Sequence, residues 1–210
     1  MYKKGFTIIE IVVVFLLMLG VIFLAYPKSV NSTRQAKLIS KWTEKFSELE
    51  YMFSVIKAQK DGDIEEKFLK TQNEDDRKKI MLDAIKPYLR ITSEVNAVYE
   101  PLFMDKEVAT PDSTYYFGNF YLTSSNELVG LKLINSSCKD NEVCFIMVFD
   151  INGLKAPNTW GCDIFGINVL KNKIEPLGKD VSPDVLKQNC SKYGSGVYCS
   201  YYYLIGGRFE

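Results

Sequence analysis

The stretch Gly5–Tyr26 reads G-FTIIEIVVVFLLMLGVIFLAY and follows the short basic leader Met1-Tyr2-Lys3-Lys4. From Phe6 to Tyr26 only Thr7, Glu10 and Gly20 are neither apolar nor aromatic. About 21 residues of helix rise roughly 32 Å, so the stretch is expected to form a membrane-crossing helix over about 6–26. Glu10 breaks the pattern. A carboxylate inside such a segment costs roughly 2.5 kcal/mol or more in lipid, so it needs a cationic partner and reads as functional.

A partner arises if the chain is cut between Gly5 and Phe6, because the new α-amino group lies one helical turn from Glu10 and within reach of a neighbouring copy's Glu10. Lys-Gly followed by Phe6-Thr7-Ile8-Ile9-Glu10, an unbroken apolar run and then Pro27 closely resembles the N-terminus of type IV pilins and type II secretion pseudopilins. The resemblance covers about 30 residues. Gly20 departs from it by standing one place later than the glycine many members carry. It implies processing by a prepilin peptidase after Gly5, methylation of Phe6, and assembly guided by Glu10 and the Phe6 amine. The implied fold class is α+β, a long N-terminal helix with a membrane-spanning first half packed on an antiparallel sheet. The implied partners are other copies or related pilins, an inner-membrane assembly platform and membrane lipid. The implied location is the bacterial inner membrane as a single-pass precursor with its C-terminus outside, then a pilus or periplasmic filament. A signal-anchor helix holding a monomeric binding module or adhesin is the alternative.

Beyond Pro27 no further proline or glycine occurs until Gly62, and Leu38, Trp42, Phe46, Leu49, Phe53 and Ile56 recur at steps of three and four. That is the apolar stripe of an amphipathic helix packed on one face. Lys41, Glu44, Lys45 and Glu48 are assigned to its water-facing side. The domain plan that follows is a leader over 1–5, the long helix over 6–60, a variable helical connection over 61–113 and a sheet domain over 114–210. Within the connection a helix is expected from about Asp75 to Lys86, stopping before Pro87. Runs rich in β-branched and aromatic residues predict strands over Thr114–Leu122, Glu127–Ile134, Val143–Ile151 and Ile164–Leu170. Tyr201-Tyr202-Tyr203 is expected in a loop returning to a final strand.

Lysines plus arginines number 26 and acidic residues 26, so no charge excess points to nucleic acid. The chain has no histidine, which removes Ser-His and Cys-His chemistry and the usual zinc sites; no enzyme is expected. All five cysteines fall between positions 138 and 199, and that clustering suits an oxidising compartment. Cys138 and Cys144 enclose a short hairpin-like segment, and Cys190 and Cys199 enclose a glycine-bearing loop in the region where the resembling family carries one. Each pair reads as a disulfide, with Cys162 left over; a cysteine zinc site is the alternative, though no CxxC pair exists.

Asp150-Ile-Asn152-Gly153 followed by Pro157-Asn158, Gly161 and Asp163 is the most specific stretch after the apolar helix. It resembles a segment of many pilin-like sequences. Asp150, Asn152, Asn158 and Asp163 supply hard oxygen donors that suit Ca²⁺, although the terminal bidentate glutamate of an EF-hand is missing. The same residues also read as a tight hairpin turn whose amides Asp150 holds, and that reading is preferred.

Overall fold

The computed structural model describes residues 8–59, 73–95, 99–135 and 138–208, with the side chains at 22–32, 74, 75 and 77 outside that description. Helix α1 runs Ile8–Gln59 and α2 runs Glu74–Leu89. Six strands follow: β1 Ile91–Val95, β2 Phe120–Thr123, β3 Leu128–Leu133, β4 Val143–Asp150, β5 Ile164–Leu170 and β6 Ile174–Pro176. Two short helices, α3 Pro183–Asn189 and α4 Cys199–Leu204, close the chain. The strands pair antiparallel in sequence order, so the chain is α+β with a six-stranded meander.

The chain divides into two units, residues 1–37 and 38–210. In the first, the described apolar run of α1 is Ile8–Val21 and contains Glu10. The expected membrane-spanning half is corrected here: among the described residues no helix is long and apolar enough to cross a membrane. The expected single-pass inner-membrane location loses its basis with it.

In the second unit the core lies on both faces of the sheet. Strand β4 is apolar from Val143 to Phe149, and its alternation divides those side chains between the faces. Phe145, Met147 and Phe149 join Leu38, Trp42, Leu49, Phe53 and Ile56 of α1, together with Met81 and Ile85 of α2. Ile146 and Val148 join Phe117, Phe120, Trp160 and Leu177 on the opposite face. The stripe from Leu38 to Ile56 is thus buried, apart from half-buried Phe46.

Several local expectations change. Helix α2 continues through Pro87 to Leu89. A proline in the last turn forfeits one backbone bond, and the continuation keeps Leu89 in the core beside Ile85. The strand expected from Thr114 begins only at Phe120, because Phe117 turns into the core from a loop. The expected connection over 61–113 contains β1, whose residues 91–95 pair with β2. The tyrosine run lies in helix α4, where Tyr203 is buried and donates its hydroxyl to the Gly161 carbonyl at 3.1 Å. Lys45 does not face water; its ammonium is 2.9 Å from Glu127 and 2.6 Å from Glu48.

Candidate functional site

Two features concentrate the chemistry anticipated from the sequence, one in each unit. The first is the apolar turn-after-turn surface of α1. Every large hydrophobic residue from Ile8 to Val21 is exposed, from 81% at Ile8 to 36% at Leu19. Successive helical side chains point about 100° apart, so an uninterrupted apolar run presents hydrocarbon on every side of the helix. Glu10 lies within this surface and is itself exposed. Gly5 and Phe6, the expected processing residues, lie outside the described residues.

The second feature is the loop between β4 and β5, which brings Asp150, Asn152, Asn158 and Asp163 together. Asp150 ends β4 and is completely buried. One of its carboxylate oxygens accepts the Asn152 amide at 3.0 Å, and the other accepts the hydroxyl of Tyr99. Asp163 is also completely buried. Its two oxygens accept the amides of Thr159 at 2.7 Å and Asn158 at 3.0 Å. The Asn152 side chain also favours the ionised form of Asp163 across the loop.

Gly153 makes the turn possible. Its φ of +71° is left-handed, and the Asn126 carbonyl stands where a β-carbon would project. The backbone therefore folds against the β2–β3 turn, and a side chain at 153 would push the two apart.

Burial, and then the neighbouring charge of Asp163, pushes Asp150 up to about 8. Burial also raises Asp163, against the amides of Thr159 and Asn158 that favour its ionised form. Tyr99 is raised by burial and by the Asp150 carboxylate beside it. All three shifts favour the protonated form of their groups, and burial is the largest cause of each.

The same geometry tests the calcium reading. All four carboxylate oxygens already accept a protein N–H or O–H. Asn152 Oδ1 and Asn158 Oδ1 are buried without a protein partner. A Ca²⁺ ion takes six to eight oxygens, so these two alone do not make a site and the carboxylates would have to turn from their present donors. Among the described residues no group of three or more histidine, cysteine, aspartate or glutamate side chains is placed to hold a metal. What the four residues do here is lock the loop, with Asp150 holding the turn amide.

Cys138–Cys144 and Cys190–Cys199 form the two disulfides, and Cys162 is in neither. The first closes the segment between β3 and β4; the second ties the end of α3 to the start of α4. Four cysteines are thereby taken from any zinc site. Sequence reasoning missed Tyr99, which stands outside any motif, and Thr159, which lies within the quoted stretch but completes the loop lock through its backbone amide. It also missed Glu127, which stands 82 positions after its partner Lys45 and carries no local signal.

No protein-family model, no curated protein and no solved structure matches this chain.

Proposed function

We propose that this chain is a structural subunit of a filament, a pilin, minor pilin or pseudopilin, assembled through its apolar N-terminal helix. The observation that carries the reading is the exposure of Ile8–Val21 around the whole helix. Apolar area of this extent is unfavourable in water at roughly 25 cal/mol per Å², so something must cover it. A helix apolar all round belongs in the middle of a bundle. Equivalent helices from other copies supply such a cover, and repetition of one contact along an axis gives a filament when the rotation does not close.

Glu10 sets the register in this reading. Burying its carboxylate among apolar helices is costly unless a cation meets it. Cleavage after Gly5 by a prepilin peptidase would free the Phe6 α-amino group to pair with Glu10 of an adjacent copy. Residues 38–210 carry two disulfides, which suit an oxidising compartment.

Intact-mass and N-terminal analysis of the protein recovered from its native cells tests this. A chain beginning at Phe6 and heavier by one methyl group supports it; a chain beginning at Met1 overturns it. Glu10→Ala separates register from folding. The variant should fold as the parent does and fail to assemble, whereas normal filaments from it would remove Glu10 from the mechanism.

A further inference from the structure

Strand β3 is longer than its partner on one side. Its pairing with β2 stops at Phe120↔Gly130, while its pairing with β4 continues through Leu131↔Met147, Lys132↔Ile146 and Leu133↔Phe145. The reason lies just before β2. Phe117 turns into the core beside Trp160, which draws the chain at Gly118 and Asn119 away from the line β2 would need to follow. Among the described residues, Leu131–Leu133 consequently have a strand neighbour on one side only, and an open strand edge is a template for another chain.

A cleft of about 550 Å³ lies over this edge, between α2, the 111–119 loop and the sheet. Its volume falls within the range usual for ligand sites. Lys78 and Lys79 of α2 and Lys132 of β3 line it together with Glu94. Glu94 already accepts the Asn119 side-chain amide at 2.6 Å. Lys132 spends one N–H on the Ser113 carbonyl at 2.6 Å and keeps two more to give, since an ammonium has three. Burial, and then the charge of Lys78, holds Lys132 below its ordinary value. A negative group in the cleft would relieve that repulsion.

We propose that this cleft docks an extended acidic peptide segment, which adds to the edge of β3 at Leu131–Leu133 and sets its carboxylates against Lys79 and Lys132. The open edge offers alternating backbone donors and acceptors, and these favour a peptide over a small anion, which has no complementary backbone. The cluster of positive charge selects acidic side chains on the added strand. The assignment is independent of the filament reading, since every residue in it belongs to the 38–210 unit.

The test is fluorescence anisotropy of the full chain with a dye-labelled pentapeptide of alternating valine and glutamate. Two comparison peptides accompany it, one with lysine for glutamate and one N-methylated at alternate amides. Saturable binding of the acidic peptide is expected, with none by the lysine peptide and at least a tenfold loss on N-methylation. Lys79→Glu, at an exposed position that does not threaten folding, should weaken binding about fivefold, as should Lys132→Gln. Three results would each overturn the proposal: absent saturation by the acidic peptide, equal affinity of the N-methylated peptide, or unchanged affinity in Lys79→Glu.

Discussion

Trp42 of α1 stacks on Phe165 of β5, with ring centroids 5.0 Å apart and planes inclined by 15°. Both rings are completely buried, and the Trp42 indole donates to the Ser200 carbonyl at 2.8 Å. One side chain thus joins the helix, the central sheet and the C-terminal helix pair. Trp42→Ala should destabilise the fold by about 3–5 kcal/mol through the cavity and the lost stacking. Trp42→Phe keeps a ring there and should cost less, about 1–3 kcal/mol, for the orphaned Ser200 carbonyl and the smaller volume. Denaturant unfolding of both variants checks the order; equal losses would deny the indole bond its part.

Asp150 gives the fold an unusual pH dependence. Its carboxyl stands at about 8 in the folded chain against an ordinary value of 3.8, because burial and Asp163 disfavour its charge. The folded state therefore keeps a proton that the unfolded chain releases above about 4, and stability from this group falls as pH rises from about 4 to about 8. Asp163 is shifted the same way. Asp150→Asn should flatten that descent, so the melting temperatures of parent and variant, compared between pH 5 and 8, should converge or cross as pH rises. A parallel pair of curves would contradict the assignment.

Lys45 is held between Glu48 and Glu127, and its side chain is only 11% exposed. Burial draws its pKa down, but the two carboxylates together outweigh that and raise it. Glu127→Ala leaves an ammonium in a low-dielectric setting with one exposed partner, and should cost about 1–3 kcal/mol. Glu48→Ala, at the more exposed carboxylate, should cost under about 1 kcal/mol. Thermal unfolding in low and high salt reads the difference.

The Cys190–Cys199 bridge joins α3 to α4 around a nine-residue separation. Replacing both cysteines by serine should destabilise by about 2–4 kcal/mol, chiefly through the freed unfolded chain. Loss should appear as an earlier unfolding transition in the oxidised protein and vanish when parent and variant are compared under reducing conditions. A difference that persists after reduction would place the effect in packing instead.

The stripe from Leu38 to Ile56 was legible because a helix buries one face and the period writes itself into the residues. Strand Ile164–Leu170 was legible for the related reason that a doubly covered strand is apolar throughout. Strand β1 was hidden, since Ile91-Thr-Ser-Glu-Val95 has only its ends buried or half-buried and three polar residues between. Phe117 misled in the opposite direction: an aromatic run signals strand, yet here it fills the core from a loop. The four residues of the β4–β5 loop were found as a group from their oxygen-bearing side chains, while Tyr99, brought from 51 positions away, was invisible to any local pattern. Lys45 failed for the same cause, because a helix wheel cannot see Glu127 arriving from the β2–β3 turn. The apolar run at the N-terminus was plain in the sequence, but among the described residues no helix is long and apolar enough to cross a membrane.

The most direct measurement concerns Phe15, which is 63% exposed within the apolar surface of α1. A photo-crosslinking phenylalanine analogue placed there, in protein produced in its native cells, reports what covers the helix. A covalent product joining two copies, with the cross-link mapped to Ile8–Val21 of the second, is predicted. Illumination that yields only uncross-linked monomer would contradict burial of this helix by its own copies.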